Sequence, residues 1–454
     1  MNSELDIKTS VDKVFKAYDV RGLFPGEWDA NIARLAGNAF VRYLNAESIV
    51  IGHDMRTSSP VLVKAFTEGA VMAGAEVFDI GLASTDMLYF ASGHLNMPGA
   101  MVTASHNPAQ YNGLKMCRAG AAPIGEDSGL SQIKAAVESG ILERNEEPGE
   151  VKKINLLDEF RDHCLSFIDI SSIDNLKVVA DTANGMGGLV VPHVFKKLFC
   201  ELEVMYGELD GSFPNHPADP LDMENLKDLQ RRVVETGADI GLAFDGDADR
   251  VFLVDDLGQP MGGYITVAMV AQSLLQKFPG ETIVYGLICS NAVPELIEAE
   301  GGRGIRTRVG HSFIKQVMAD TGAIFGGEHS GHFYFRDNYR ADSGLIAALL
   351  VLEVLAKSGK KLSELRKEFE KYFQSGEINS EVKSVPEALK RVTDYFSDYE
   401  IDELDGFTIK DKTWWANIRS SNTEPLVRLN VEADTKELCE EKTLEILAII
   451  RGQA

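Results

Sequence analysis

Three similar α/β domains with mixed sheets, followed by a smaller α+β domain, are the fold class this sequence predicts. Chain length, a recurring strand-to-loop pattern and a change of character in the tail predict it. A chain of 454 residues is too long for one ordinary core, so two to four domains are expected. Short apolar runs lead into small or polar loop residues at three places. Ser48-Ile49-Val50-Ile51 runs into Gly52-His53-Asp54, Lys177-Val178-Val179-Ala180 into Asp181-Thr182-Ala183-Asn184-Gly185, and Thr282-Ile283-Val284-Tyr285 into Gly286. Such runs suit parallel strands covered by helices on both faces, and their spacing is that of one small α/β domain. The tail differs. It carries Trp414-Trp415, a strand-like Leu426-Val427-Arg428-Leu429-Asn430-Val431 and a final helix, expected to start at Asp434 with Glu437 completing a capping box.

Punctuation sets the expected boundaries. The polar connector Glu143-Arg144-Asn145-Glu146-Glu147-Pro148-Gly149 closes a first domain at residue 149. The turn Asp255-Asp256-Leu257-Gly258 closes a second at 256, and Gln374-Ser375-Gly376-Glu377 opens a fourth, so a third spans 257–373 and the last 374–454.

Composition narrows the function. Apolar content of 44% and charged content of 25% are those of a soluble globular protein. The start, Met1-Asn2-Ser3-Glu4-Leu5-Asp6, has no basic and apolar signal pattern, and the apolar run Leu345–Ala356 is too short for a membrane span and contains Glu353. Five scattered cysteines argue for a reducing compartment. Together these features predict a cytoplasmic protein. A net charge of −24 disfavours nucleic acid and anionic membranes as partners. An anionic ligand would need cations gathered locally.

Three motifs offer that chemistry. Thr103-Ala104-Ser105-His106-Asn107-Pro108 follows an apolar run, and the residue before Pro is pushed away from helix, so Ser105 is expected on a turn at a strand end. There it is a candidate nucleophile that needs a base or metal for activation. His106 is not assigned as that base, because neighbouring side chains on extended backbone point to opposite faces. Lys115 is a nearby cation for a phosphate.

In Asp245-Gly246-Asp247-Ala248-Asp249-Arg250, alternate carboxylates along a loop can surround one hard cation. A calcium EF-hand would need Gly at the sixth position and Glu at the twelfth; Arg250 and Asp256 stand there. Mg²⁺ suits few carboxylates plus a phosphate oxygen, and Arg250 could share that phosphate.

Arg419-Ser420-Ser421-Asn422-Thr423 is a candidate phosphate nest, extended by Arg428. Between these lies Gly327-Glu328-His329-Ser330-Gly331-His332, where Glu328 and Ser330 could face adjacent hydroxyls and His332 could serve as general base or phosphate partner. His311 and Lys315, four apart after Gly310, are candidate cations for the same site.

Together these residues resemble the α-D-phosphohexomutase family, in its bacterial phosphomannomutase/phosphoglucomutase branch. The likeness runs from Tyr18-Asp19-Val20-Arg21-Gly22 to Pro425 and includes Asp210-Gly211-Ser212-Phe213-Pro214-Asn215-His216-Pro217. It implies four domains around one central cleft. Ser105 matches the phosphoserine; Asp245, Asp247 and Asp249 match the Mg²⁺ ligands, with the serine phosphate completing the site. Glu328 and Ser330 match the grip on sugar hydroxyls, and Arg419, Ser421, Asn422 and Thr423 the loop for the non-reacting phosphate. Tyr18, Arg21, Lys115, Arg250, His311 and His332 match cleft residues, with proton transfer left among Lys115, Arg250 and His332.

The resemblance implies interconversion of mannose 6-phosphate and mannose 1-phosphate, with glucose phosphates as further substrates, through a hexose 1,6-bisphosphate that also serves as activator. Hexose phosphates are the implied partners, for a monomer or homodimer. A phosphoglucosamine mutase ranks lower, since such relatives usually have Gly where this chain has Asn422. A phosphoserine phosphatase would release phosphate instead of isomerising sugar.

Overall fold

The computed structural model describes residues 6–420 and 426–453, apart from the side chain of His311. Four sheets organise it, and by compactness the chain divides into two units. One runs to Thr266 and takes in Ser330–Ser363; the other comprises Val267–His329 and the chain from Glu364 onward.

The first unit holds two mixed sheets. In the larger, the order is Val20–Leu23, Tyr111–Arg118, Gly99–Val102, Ser48–His53, Glu76–Leu82 and Val151–Lys153, with Ala122–Pro123 paired to Tyr111–Arg118. The central strand Ser48–His53 runs parallel to both neighbours, whereas Gly99–Val102 and Tyr111–Arg118 are antiparallel. Ile49, Val50 and Ile51 are fully buried, as expected for a strand covered on both faces. Val151–Lys153 adds in parallel to Glu76–Leu82, so the first sheet extends past the expected boundary at 149. At the connector the Gly149 amide donates to Val71 O, and the chain returns to the sheet edge.

The second sheet is ordered Val251–Asp255, Ile240–Phe244, Asp174–Asp181, Phe199–Met205. Ile240–Phe244 is parallel to Asp174–Asp181 and antiparallel to Val251–Asp255, with Phe244 opposite Val251. Residues 245–250 are therefore the connection of a fully buried hairpin. The apolar helix Gly344–Ser358 belongs to this unit, and its residues 344–353 are buried. Among the described residues no helix is long and apolar enough to cross a membrane.

In the second unit, Thr282–Gly286 lies between Arg303–Thr307 and Phe325–Gly327, all parallel. The last sheet is antiparallel, in the order Phe373–Gln374, Leu426–Ala433, Trp414–Ser420, Phe407–Lys410, Glu400–Asp402, which bears out the α+β character of the tail. The final helix is Lys436–Ile450, not a helix begun at Asp434. Thr435 is its N-cap, with Oγ1 accepting from the Leu438 amide, because the Asp434 amide is committed to Thr413 O at the strand end.

Helices Ala30–Leu44 and Ser59–Met72 pack against each other at unusually close range. A Cβ at Gly37 would lie 2.0 Å from Phe66 O, and one at Gly69 1.9 Å from Arg34 O. Backbone cannot yield there without separating the helices. Gly37→Ala is expected to cost about 1–3 kcal/mol of stability, read as a lowered thermal midpoint; an unchanged midpoint would contradict this packing.

Candidate active site

The first unit brings Ser105 to the aspartate loop. Ser105 follows the buried strand Gly99–Val102, is itself 4% exposed, and has φ +50°, a left-handed conformation uncommon outside glycine. Its amide donates to Thr103 Oγ1 and its Oγ donates to Asp245 Oδ2 at 2.8 Å. His106 Nδ1 lies 3.3 Å from Ser105 Oγ, contrary to the expectation from extended backbone. The left-handed turn at Ser105 cancels the alternation on which that expectation rests. Burial, then Arg250 and Arg21, push His106 well below its ordinary value, so this imidazole is neutral near neutral pH.

Asp245, Asp247 and Asp249 come from the hairpin connection, and one carboxylate oxygen of each lies within 4.8 Å of the others. All three are at most 1% exposed. Burying three carboxylates together requires compensation, and two cations supply it. Arg250 donates to Asp245 Oδ2 from Nε (2.9 Å) and Nη2 (2.8 Å). Lys115 Nζ donates to Asp247 Oδ2 (2.7 Å) and Asp249 Oδ2 (2.6 Å). Against the cost of burial, Asp247 and Asp249 raise Lys115 well above the usual amine range. Lys115 correspondingly outweighs burial and holds Asp247 well below the usual carboxylate range.

The remaining oxygens fit a divalent cation. Asp247 Oδ1 and Asp249 Oδ1 are buried without a hydrogen-bond partner, the state of a carboxylate oxygen reserved for a metal. Three carboxylates against two cations also leave one negative charge in excess. A second set of ligand atoms within 4.8 Å of one another joins Asp249 to His332 and Asp342, which puts His332 beside Asp249. His332 Nδ1 is 3.2 Å from Ser330 Oγ. Arg21 reaches the serine loop from the edge strand, donating from Nη1 to Asn107 Oδ1 (2.7 Å) and from Nη2 to Asp19 (2.6 Å). Tyr18 is half-buried on the turn just before that strand.

The other expected residues lie in the second unit. Glu328 is buried and accepts the Gly310 amide (3.0 Å) through Oε1, bracing the turn before helix His311–Thr321. Arg419 and Arg428 are direct partners on adjacent antiparallel strands. Glu377 bridges them, accepting from Arg419 Nη2 (2.6 Å) and Arg428 Nη1 (2.9 Å). Ser421, Asn422 and Thr423 lie outside the described residues, as does the imidazole of His311.

Three participants escape the sequence reading: Glu377, Arg56 and Thr85. Glu377 sits in a connector and Arg56 in a polar strand-end loop, so neither has a local signal. Thr85 follows Ser84, whose Oγ accepts the Met87 amide as helix N-cap, so the pair is legible only as a helix start. Yet Thr85 Oγ1 donates to Asp247 Oδ2 (2.5 Å) and its amide to Asp247 O (3.0 Å). With Lys115 it occupies Oδ2 and turns Oδ1 to the cation position.

A strand-end serine bonded into a buried three-carboxylate cage, on repeated mixed α/β sheets, defines an enzyme of phosphoryl transfer. The chain belongs to the phosphoglucomutase/phosphomannomutase family: that family's α/β/α domains I, II and III match residues 12–143, 158–258 and 262–372, and its C-terminal domain matches 377–448. It is thereby a phosphohexomutase, an intramolecular phosphotransferase of the isomerase class. The phosphomannomutase of Salmonella montevideo is 40% identical over 450 residues, covering 96% of this chain and 99% of the relative. The phosphomannomutase of Escherichia coli K12 is 40% identical over 448 residues, with 96% and 98% covered. A crystal structure of a phosphoglucomutase/phosphomannomutase family protein from Burkholderia thailandensis superposes with a TM-score of 0.87 at 31% identity, covering 96% of this chain and 97% of that one.

Thr85→Val is expected to weaken divalent-cation binding about 10–100-fold, the usual cost of losing a hydrogen bond that orients a ligand, while Thr85→Ser retains it. Manganese titration of the substrate-free protein by electron paramagnetic resonance reads this directly. Equal affinity in the valine variant would remove Thr85 from the site.

Proposed function

We propose that the protein interconverts mannose 6-phosphate and mannose 1-phosphate, and the corresponding glucose phosphates, through phosphorylated Ser105 and a hexose 1,6-bisphosphate. The observation that carries this reading is the 2.8 Å contact between Ser105 Oγ and Asp245 inside the carboxylate cage. A serine in that setting has its phosphorylated form beside a divalent cation and two protein cations. The full-length likeness to phosphomannomutases supports the substrate class.

In this reading Asp245, Asp247 and Asp249 would hold Mg²⁺, which when bound would offset negative charge at the transferring group. A sugar hydroxyl attacks the phosphorus on Ser105, the Oγ–P bond breaks as the sugar O–P bond forms, and the hydroxyl proton leaves. Lys115 is kept protonated by Asp247 and Asp249, so it compensates charge. His332, beside Asp249, takes the proton. Arg250 holds Asp245 in line with Ser105. The bisphosphate then returns its other phosphoryl group to Ser105. Arg419 and Arg428, on paired strands, grip the phosphate that is not reacting. Glu328 and Ser330 read sugar hydroxyls. The protein acts in the cytoplasm.

Ser105→Ala is expected to lose at least about a thousandfold in kcat, with mannose 1-phosphate, Mg²⁺ and a trace of hexose 1,6-bisphosphate as assay mixture. Intact mass should show a phosphate increment on the wild type only. Chelation should abolish turnover and added Mg²⁺ restore it. Full activity in the alanine variant would refute the phosphoserine route, and phosphate release without isomerised sugar would make the protein a phosphatase. A very large kcat/KM preference for one C2 epimer would remove the second sugar from the proposal.

A further inference from the structure

The signature Asp210–Pro217 takes no part in the chemistry above, and Arg56 lies beneath it. Arg56 follows the central strand Ser48–His53 of the first sheet and is 1% exposed. A guanidinium has five N–H donors, and here five acceptors surround it. Nε donates to Asp54 Oδ2 (3.1 Å), Nη2 to Ser105 O (2.7 Å) and Asn107 O (2.6 Å), and Nη1 to Pro108 O (2.8 Å) and Tyr111 O (3.0 Å). Three of the five are carbonyls of the loop that carries the nucleophile, and Tyr111 O opens the strand that follows it. Every donor is used, so Arg56 has none left for a ligand.

Phe213 covers this arrangement from the second sheet's side, with Arg56 Cζ 5.1 Å from its ring centroid. That approach demands close backbone contact: a Cβ at Gly211 would lie 2.5 Å from Arg56 Cα. The turn that presents Phe213 is itself tied down. Asp210 Oδ1 accepts from the Ser212 amide and hydroxyl, the Asp210 amide donates to Asn184 O, and Asn215 Nδ2 donates to Asn184 Oδ1. Phe213, like Ser105, has a left-handed backbone, at φ +51°.

We propose that Arg56, capped by Phe213, is the positioning residue that fixes the Ser105 loop against the metal carboxylates, and that the 210–217 segment serves to hold that clasp. This rests on Ser105 being the transferring group, as proposed above. The physical need is specific. A non-glycine residue stays left-handed only where its surroundings over-determine it, and here Arg56 holds the Ser105 and Asn107 carbonyls. Ser105 belongs to one sheet and Asp245 to another, so a fastening between the two sheets sets their 2.8 Å separation. Misplacement by an ångström at a reacting group costs about a hundredfold in rate.

The test compares Phe213→Leu, Phe213→Tyr and Arg56→Lys in the full-length protein. Leucine keeps an apolar side chain but has no π-face, tyrosine keeps the face, and lysine keeps the charge with three donors. Phe213→Leu and Arg56→Lys are expected to lower kcat about 10–100-fold with sugar-phosphate KM within about twofold. The rate of Ser105 phosphorylation by hexose 1,6-bisphosphate should fall in parallel, and Phe213→Tyr should retain both. Hydrogen exchange of the amides at residues 104–111 should quicken in the two defective variants, independently of any chemistry. Wild-type kcat and exchange in Phe213→Leu would overturn the proposal, as would a kcat loss accounted for wholly by the unfolded fraction. Ser105→Ala with full activity would instead refute the phosphoserine reading and leave the exchange result standing.

Discussion

Three carboxylates buried in one hairpin connection are the constraint on which the site depends. Asp245, Asp247 and Asp249 lie at most 1% exposed in a protein that already carries a net charge of −24. Desolvating one charge costs several kcal/mol unless it is paired and hydrogen-bonded. Arg250 takes Asp245 with two donors, and Lys115 spans Asp247 and Asp249. Two buried oxygens, Asp247 Oδ1 and Asp249 Oδ1, are left over without a hydrogen-bond partner. Strands that supply this loop are buried along their full length, which keeps the carboxylates from relaxing toward water.

The serine loop obeys a complementary rule. It must display a hydroxyl to the cage while satisfying its own backbone, and a left-handed residue at a strand end accomplishes the display. Its carbonyls turn away from the cage toward the Arg56 guanidinium, while Oγ faces Asp245 and His106. Charge is handled in the same way at Arg419 and Arg428. Glu377 bridges and partly offsets a guanidinium pair that adjacent strands would otherwise hold in mutual repulsion. Lys115 with Asp247 and Asp249, and Glu377 with Arg419, bring opposite charges together from distant chain.

Much of this was legible in the sequence, where the information is local. The strands at 48, 177 and 282 announce themselves as short apolar runs because both faces are buried. The carboxylate cluster is legible because its three aspartates alternate along five residues. Where the reading failed, a longer-range contact had decided between local options. Thr435 and Asp434 are both good N-caps, and the bond from the Asp434 amide to Thr413 O selects Thr435. His106 was set aside by an alternation that holds only for extended backbone, and the φ of Ser105 is positive.

By itself, then, the sequence determined the α/β architecture, the α+β tail, the alternating carboxylates and the serine on its strand-end turn, since hydrophobic periodicity and turn chemistry act over a few residues. Only the tertiary structure decided which charge meets which. Ser105 and Asp245 are 140 positions apart and Thr85 and Asp247 are 162 apart, yet each pair is within hydrogen-bond distance. Coulombic and hydrogen-bond energies depend on separation in space and on burial, and neither is a function of distance along the chain.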